Sequence, residues 1–343
     1  MDKAKRKPMS RKQKRNLFFG AMVLYPLLVF VLFYIVVNFN TIALAFTEYT
    51  TTPGVIGYNR VFAGLKNFKV VFEMLKFENN YVMILNSLKL FFYKLVIGLP
   101  ISFIFAYYIY KKYAMSKFFR VICFLPNIIP NLIMVYLFRF LVNQGFVAIF
   151  HLEKGLLQNP LTEWGTILFF NLWLGFATQT LVFASSMSAI DYSIIESAQI
   201  DGATPIQELW HIILPGVFGT FETYVLVAIA TMFVDQMSLI TFYDKFDIPG
   251  NMRTVGYYLY VQAYQSDFVP STSWESNHTY GKLSYSQISS FSLMVSLVVI
   301  PITLIVRKLF KKYGPSEGWL WKTLFQKRKR NIFTLISSQQ LYL

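Results

Sequence analysis

Six long, nearly uncharged runs of apolar residues constrain this chain more than any other feature. Each is at least about 20 residues long, the length that an α-helix needs to cross the hydrocarbon core of a bilayer. The runs cover residues 17–38, 84–109, 118–142, 163–190, 213–241 and 284–308. Because backbone groups inside a membrane must be satisfied within the chain, we predict an all-α polytopic membrane protein with six transmembrane helices.

The first run has the properties of a retained span rather than of a cleaved signal peptide. It follows a basic segment, residues 1–16, but it is too long for the apolar part of a signal peptide and lacks a small-residue cleavage site. We therefore predict that this helix stays in the mature protein.

Positive charge indicates how the spans are oriented. The chain has 32 lysine and arginine residues and a formal net charge of +15, and more than half of these basic residues lie in residues 1–16 or from Arg307 onward. Both clusters adjoin apolar runs, where basic residues mark the cytoplasmic side. This placement predicts that both termini are cytoplasmic (N-in/C-in), and it argues against binding to nucleic acid.

One predicted cytoplasmic loop, residues 191–212, breaks this rule. It contains Asp191, Glu196, Asp201 and Glu208 but no lysine or arginine. Helices that rest on a membrane surface usually carry basic residues on their polar face. The loop is therefore predicted to contact another protein rather than anionic lipid.

The same loop carries the start and stop signals of two short helices. Asp191 is a suitable N-cap, and Gly202 can adopt the left-handed conformation that ends a helix. Thr204, Pro205 and Gln207 then form a capping-box sequence with proline at the first helical position. An apolar stripe follows at helical spacing, formed by Ile206, Leu209, Trp210 and Ile213. We predict a helix-turn-helix that is too short and too polar to cross a bilayer.

The spacing within this loop matches a family motif. The segment from Glu196 to Pro215 resembles the EAA motif of permease subunits of binding-protein-dependent ABC importers, with Ser197 where the consensus has alanine. The resemblance implies a type I importer permease fold in which residues 191–215 are the coupling helix that docks on a cytoplasmic ATPase. It implies coupling roles for Glu196, Ser197, Ala198, Gly202, Ile206, Leu209, Trp210, Leu214 and Pro215.

Four weaker motifs extend the resemblance along most of the chain. Residues 64–68 (GLKNF), 86–88 (NSL), 124–126 (FLP) and 249–264 occur in an order similar to that of carbohydrate permeases of the maltose and glycerol-phosphate type. The chain departs from that pattern just before Thr254 and just before the last run. The implied organisation is a basic N-terminus (1–16), a first helix with an external loop (17–83), a five-helix permease core (84–308) and a basic, aromatic tail (309–343).

The chain carries no sequence signature of its own energy source. It has no G-x-x-x-x-G-K-[ST] phosphate loop, and its three histidines and single cysteine show no metal-ligand spacing. The resemblance implies that this chain binds no cofactor and that ATP and Mg²⁺ are bound by the partner ATPase. The implied partners are a second permease that forms a heterodimer, two ATP-binding cassette ATPase subunits, an extracytoplasmic solute-binding protein, the lipid bilayer and a sugar substrate.

Polar residues inside the runs mark a candidate substrate site. Such residues are costly in a membrane and usually face the interior of the bundle. Two sets recur at i, i+3, i+4 and i+7, namely Asn171, Leu174, Gly175 and Thr178 in the fourth run and Ala228, Thr231, Met232 and Asp235 in the fifth. Counted from the motif glutamate, these positions resemble the sugar site of the maltose permease subunit. The alternative is that they only pack neighbouring helices together.

The favoured function is the import of a carbohydrate, specifically an oligosaccharide, by an ABC permease. A secondary transporter or channel acting without an ATPase is the main alternative, a membrane glycan polymerase is a third, and import of phosphate, metal or amino acids stays open within the family. Lys89 and Lys94 are predicted to snorkel towards the outer surface. Residues 319–330 are predicted to form an amphipathic segment on the membrane or a regulatory contact with the ATPase.

Overall fold

The protein is mainly helical in the residues that the computed structural model describes, which are 10–51, 58–76, 80–244, 248–265 and 283–315. Its helices are α1 (Arg11–Ala45), α2 (Lys66–Lys76), α3 (Val82–Tyr110), α4 (Ser116–Phe124), α5 (Asn131–Phe150), α6 (Glu163–Ser188), α7 (Tyr192–Ile200), α8 (Pro205–Gly216), α9 (Phe218–Thr231), α10 (Leu239–Tyr243), α11 (Val255–Gln265) and α12 (Tyr285–Tyr313). Two antiparallel strands, β1 (Thr47–Thr51) and β2 (Tyr58–Phe62), lie between α1 and α2 in the chain.

Five of these helices are long and apolar enough to cross a membrane: α1, α3, α5, α6 and α12. A sixth span is present if α8 and α9 are counted together across the bend of 71° between them. The helical, polytopic architecture predicted from the sequence is therefore confirmed, with five or six spans. The hairpin formed by β1 and β2 was not among the elements predicted from the sequence, which were all helices.

The third predicted span differs from the observed helix. It was expected at residues 118–142, but α4 ends before a 3-10 turn at Leu125–Asn127, and the long helix α5 begins only after Pro130. Pro126 and Pro130 account for the interruption, because proline cannot donate the backbone hydrogen bond that continues a helix. The span of this region is therefore shifted towards the C-terminus.

The fifth predicted span, residues 213–241, is not one continuous helix. The bend between α8 and α9 follows Gly216, and Pro215 stands in the turn before it, as expected of a residue that removes a backbone donor. Helix α9 ends at Thr231, and residues 232–238 form a non-helical connection to α10. The helical spacing predicted for the substrate face therefore stops at Thr231.

The described residues fall into two compact units. The smaller lies within Met1–Phe77 and Gln262–Met294, and the larger within Glu78–Val261 and Val295–Leu343. In the larger unit, one buried apolar cluster joins α3, α5, α6, α10 and α11. A second buried cluster joins α3, α6, α7 and α8. Helices α3 and α6 belong to both clusters and form the centre of this unit.

In the smaller unit, the GLKNF motif closes the end of α1. Gly64 has a φ of +56°, a left-handed conformation that glycine adopts without strain. The side-chain amide of Asn67 donates to the carbonyl oxygens of Ala45 at 3.0 Å and Thr47 at 2.9 Å. The hydroxyl of Ser290 donates to the same Ala45 oxygen at 2.8 Å. These bonds satisfy the carbonyl group of Ala45, which the end of the helix leaves free, and join it to the first residue of β1.

The NSL motif has a similar structural role at the start of α3. The amide of Asn86 donates to the carbonyl oxygens of Asn251 at 2.8 Å and Arg253 at 2.9 Å. The hydroxyl of Ser87 accepts a hydrogen bond from the backbone N–H of Val255 at 3.0 Å. Both side chains are buried, so they tie α3 firmly to the segment that leads into α11.

Candidate functional site

The predicted coupling loop folds as two short helices joined by a tight turn. The side chain of Asp191 caps α7 by accepting from the N–H of Ser193 at 3.0 Å, and Gly202 turns the chain with a φ of +79°. At the start of α8, Thr204 Oγ1 accepts from the N–H of Gln207 at 3.3 Å, and Gln207 Oε1 accepts from the N–H of Thr204 at 2.9 Å. The caps and the helix break predicted from the sequence are therefore confirmed.

The apolar residues of this loop point in two directions. Leu209 and Ile213 are buried with Ile195 against α3 and α6. Ile206 and Trp210, in contrast, are 69% and 57% exposed. The prediction of one common stripe is wrong. The face of α8 that packs against α3 and α6 is rotated relative to the predicted stripe, so it includes Leu209 and Ile213 but excludes Ile206 and Trp210. Two bulky apolar side chains remain on the outer surface of an acidic loop.

The other predicted coupling residues lie on the same loop. Glu196 and Ser197 are exposed, and the hydroxyl of Ser197 donates to the backbone oxygen of Ser193 at 2.8 Å. Because that bond stays within α7, serine can replace the consensus alanine without needing a new partner. The remaining members are half-buried, namely Ala198, Leu214 and Pro215.

The predicted substrate residues of α6 lie on a partly exposed surface. Asn171 and Leu174 are half-buried, whereas Gly175 and Thr178 are exposed. A Cβ atom added at Gly175 would meet no atom of the described chain within 4 Å. Gly175 is therefore not required for close packing within this chain.

The second predicted set does not follow one helical face. Ala228 is half-buried and Thr231 is exposed at the end of α9, and Met232 is buried just beyond it. Asp235 lies further on, in the non-helical residues 232–238, so the prediction that it continues the face of α9 is wrong. Its position results instead from the turn that ends this helix.

The structure pairs Asp235 with a lysine that was expected elsewhere. Lys94 Nζ forms an ion pair with Asp235 Oδ2, and the two side chains are 34% and 30% exposed. Lys94 lies near the middle of α3, about 18 Å from its start at 1.5 Å per residue. The prediction that Lys94 snorkels to the outer surface is therefore wrong. Both charged residues are evident in the sequence, but no local spacing links two positions that are 141 residues apart.

Hydrogen bonds from α5 and α6, together with one inside the turn itself, hold the turn around Asp235. Asp235 Oδ1 accepts from the N–H of Met237 at 2.8 Å, and the amide of Asn171 donates to the carbonyl oxygen of Met237 at 3.3 Å. The amide of Asn131 donates to Ser238 Oγ at 3.0 Å. Met237 and Ser238 have φ values of 54° and 55°, which are costly for residues with side chains. A strained, polar turn therefore lies beside the ion pair.

Two of the predicted polar residues bond elsewhere. The hydroxyl of Thr178 donates to Asn127 Oδ1 at 3.5 Å, and that of Thr231 donates to the backbone oxygen of Val227 within α9 at 2.9 Å. The structure thus brings Asn171, Asp235 and the unpredicted Lys94 together around one turn. It leaves Thr178 and Thr231 as separate exposed hydroxyl groups.

A second charged cluster ties α5 to the residue after α10. Arg139 forms an ion pair with Asp244 and donates to the carbonyl oxygen of Thr241 at 3.2 Å, while the hydroxyl of Tyr136 donates to Asp244 Oδ1 at 2.7 Å. The hydrogen bonds from Arg139 and Tyr136 hold the pKa of Asp244 below its usual range. The stabilisation from this carboxylate is present at neutral pH and is lost as the pH falls through its lowered pKa.

A groove of about 620 Å³ runs along α3, between that helix and Trp164 and Leu168 of α6. Its walls are mainly apolar, and Lys89 is exposed within it without an ion-pair partner in the described part of the chain. The described residues also contain no group of three side chains suited to hold a metal ion.

Five or six helices able to span a membrane, a two-helix loop between two of them and an ion pair near the middle of one of them are typical of a polytopic membrane transport protein. Charged residues at that depth are rare and usually mark a transport path. The fold is also that of a solved transporter. A chain of a bacterial alginate ABC transporter, solved in complex with alginate pentasaccharide-bound periplasmic protein, superposes with a TM-score of 0.66 at 19% identity, covering 87% of this chain and 96% of that chain.

The sequence comparisons define the family. The family model described as binding-protein-dependent transport system inner membrane component matches residues 98–315 of this chain. The multiple sugar-binding transport system permease protein MsmF of Streptococcus mutans is 25% identical over 321 residues, covering 89% of this chain and 99% of that protein. The polygalacturonan/rhamnogalacturonan transport system permease protein YteP of Bacillus subtilis is 25% identical over 328 residues, covering 92% and 94%.

This chain belongs to the family of binding-protein-dependent transport system inner membrane components. It is a multi-pass permease subunit of an ABC import system in the inner membrane, and it is not itself the ATPase. Membership of this family excludes a self-contained secondary transporter or channel and a glycan polymerase as its primary function.

Proposed function

We propose that this permease imports an oligosaccharide that an extracytoplasmic solute-binding protein delivers. The observation that carries the substrate class is the similarity over about nine tenths of the chain to permeases named for multiple sugars and for polygalacturonan/rhamnogalacturonan. The partly exposed hydroxyl, amide and charged groups of α6, α9 and the following turn support this class, because sugar hydroxyls both donate and accept hydrogen bonds. Amino-acid, phosphate and metal import are the alternatives within the family.

The proposed orientation places both termini and the 191–215 loop in the cytoplasm. The loop has three exposed acidic residues, Asp191, Glu196 and Asp201, and no lysine or arginine, which is unfavourable beside anionic lipid. Its exposed Ile206 and Trp210, one helical turn apart on α8, present apolar side chains on the same loop. Such a surface fits a cleft in a partner protein, and we assign it to the ATPase. Glu196 supplies a charged contact at its edge.

The proposed substrate path follows the exposed side of α6 and the end of α9. Gly175, Thr178 and Thr231 are exposed there, and hydroxyl groups that face lipid are unfavourable. We assign this surface to the interface with a second, different permease subunit, so that the path lies between the two chains. The predicted residues that border it are Asn171, Leu174, Gly175, Thr178, Ala228, Thr231, Met232 and Asp235.

Lys94 and Asp235 are proposed to take part in the same path. Each side chain is about one-third exposed, so both can be reached by a substrate. An ammonium group donates to sugar oxygens and a carboxylate accepts from sugar hydroxyls, and such charge-assisted bonds are stronger than neutral ones. Because the two charges are opposite, the ion pair adds no net charge to the membrane region.

The same assignment implies the other subunits of the complex. Two copies of a separate ATPase bind ATP and Mg²⁺ and dock on the loops of the two permeases. The binding protein docks on the external segments, which are proposed to lie within residues 39–83, 143–162 and 242–283. The basic N-terminus (1–16) and the tail (309–343) are proposed to be cytoplasmic, and residues 1–9 and 316–343 lie outside the described part of the chain.

Enlarging Gly175 tests the proposed path. Gly175→Leu is expected to reduce uptake of a labelled oligosaccharide severalfold, because the new side chain starts in open space on the path, where an added Cβ atom meets nothing within 4 Å. The matched control is Gly165→Leu on the same helix, where an added Cβ atom also meets nothing within 4 Å and the position lies outside the predicted set. Uptake into membrane vesicles and the thermal stability of the detergent-solubilised complex are measured together.

Unchanged uptake in Gly175→Leu would remove this surface from the path. Equal losses of uptake and stability would instead assign Gly175 to packing between subunits.

A panel of labelled solutes in the same vesicles tests the substrate class. Oligosaccharide uptake supports the proposal, and selective uptake of amino acids or phosphate would contradict it.

A further inference from the structure

A buried ion pair lies behind the coupling loop. Both carboxylate oxygens of Glu208, near the start of α8, accept from Lys111 Nζ at 2.9 Å. The side chain of Glu208 is 3% exposed and that of Lys111 is 17% exposed. A lysine in this position would ordinarily be attributed to the positive-inside rule, but its ammonium group faces into the protein rather than towards lipid.

The same carboxylate joins both arms of the loop. Gln199, near the end of α7, donates from Nε2 to Glu208 Oε2 at 3.2 Å. The hydroxyl of Tyr107, in the last turn of α3, donates to the backbone oxygen of Pro205 at 3.3 Å. We use the term coupling brace for Lys111, Gln199 and Glu208. Through the brace, α7, α8 and the end of α3 are held in one arrangement.

Helix α3 connects the coupling brace to the ion pair in the membrane. Lys111 directly follows α3, and Lys94 lies on this helix 17 residues earlier, which corresponds to about 25 Å. The helix packs along α6 over this length, with the rings of Phe103 and Phe183 5.5 Å apart. One helix, packed against α6, therefore links the partner of Glu208 to the partner of Asp235.

We propose that the coupling brace positions the 191–215 loop on α3 and transmits the movement of the docked ATPase to the substrate path. This inference rests on the proposed function, because it assigns the loop to ATPase docking. The ion pair is well suited to this role: a buried carboxylate that loses its counter-ion is strongly unfavourable, so Glu208 and Lys111 move together rather than separate. Gln199 extends the constraint to α7, which carries Glu196.

The test measures coupling rather than activity alone. Lys111→Met and Glu208→Gln each remove one charge while keeping a side chain of similar length. The complex with its ATPase and binding protein is reconstituted in liposomes, and the ratio of sugar imported to ATP hydrolysed is measured. Each single variant is expected to lower this ratio about tenfold, within the usual range of coupling between distant sites. The matched control is Lys112→Met, because Lys112 is exposed and has no ion-pair partner among the described residues.

The exchange variant Lys111→Glu with Glu208→Lys separates pairing from mere packing. It restores an ion pair of reversed polarity, so the ratio of import to hydrolysis is expected to recover several-fold above that of either single variant. A wild-type ratio in both single variants would overturn the role of the coupling brace while leaving the proposed function intact. Loss of subunit assembly in proportion to the loss of uptake, without recovery in the exchange variant, would assign the pair a structural role only and also overturn it. Failure of the proposed function is distinct, because the wild-type complex itself would then show no ATP-dependent uptake.

Discussion

Glu196→Lys and Gly202→Asp are each expected to abolish ATP-driven uptake while the protein remains folded in the membrane. Glu196 is exposed on α7, so a lysine there changes the charge of the docking surface without disturbing a buried contact. Gly202 has a φ of +79°, and an added Cβ atom meets nothing within 4 Å. The backbone strain of a side chain there is about 1–2 kcal/mol, too little to unfold a protein of this size.

Matched variants separate docking from the shape of the turn. Gly202→Ala carries the same backbone strain as Gly202→Asp but adds neither charge nor length, and it is expected to retain most of the uptake. Glu196→Gln removes the charge without reversing it and is expected to have an intermediate effect. The measurements are uptake, the amount of protein in the membrane and co-purification of the ATPase. Full uptake and normal ATPase binding in Glu196→Lys and Gly202→Asp would contradict the assignment of this loop.

The second large effect is expected at the ion pair in the membrane. Lys94→Met leaves Asp235 without its counter-ion, and Asp235→Asn leaves Lys94 unpaired near the middle of α3. Breaking a fully buried pair costs about 3–5 kcal/mol. Since about a third of each side chain is exposed, we expect about 1–2 kcal/mol here, together with near-complete loss of uptake.

Lys89→Met is the matched control for Lys94→Met. Both lysines lie on α3, but Lys89 is exposed and has no ion-pair partner in the described part of the chain. Uptake and the apparent melting temperature of the purified complex are measured for each variant. Uptake in Lys94→Met equal to that in Lys89→Met would exclude a role for the pair in transport. A lowered melting temperature with wild-type uptake would show that it only stabilises the fold.

Local rules were sufficient to predict the two helices and the turn of the 191–215 loop. The N-cap at Asp191, the turn at Gly202 and the capping box from Thr204 to Gln207 depend on a few neighbouring residues, and each is present in the structure. It was not predicted that Leu209 would be buried and Ile206 exposed. Both residues are apolar, and the sequence does not show which of them has neighbours from other helices. That distinction depends on the packing of α8 against α3 and α6.

The membrane part was harder to predict for two physical reasons. Hydropathy records the apolar character of residues 213–241 but not the end of α9 at Thr231, since neither proline nor glycine stands there. The pairing of Lys94 with Asp235 joins residues 141 positions apart, which local spacing does not reveal.

The hairpin was predictable in part, because β-branched and aromatic residues flank Pro53 and Gly54, a typical turn sequence.

The motifs that resemble those of carbohydrate permeases have structural roles of their own. Asn67 closes the end of α1, and Asn86 and Ser87 tie α3 to the segment before α11. Their similarity to the family therefore supports the fold more directly than it supports any particular sugar. The choice of substrate depends on the surface around Gly175 and Asp235, which these motifs do not include.

One reconstitution tests the central claim most directly, namely that this chain is the membrane path of an importer driven by a partner ATPase. The purified chain is placed in liposomes, first alone and then with its second permease, its ATPase subunits and a binding protein loaded with labelled oligosaccharide. We expect the chain alone to neither bind nor hydrolyse ATP and to move no sugar under a proton or sodium gradient. The complete complex is expected to import sugar only when ATP is present on the side of the 191–215 loop. Sugar flux by the isolated chain under an ion gradient, or no dependence of the complete complex on ATP, would contradict the account.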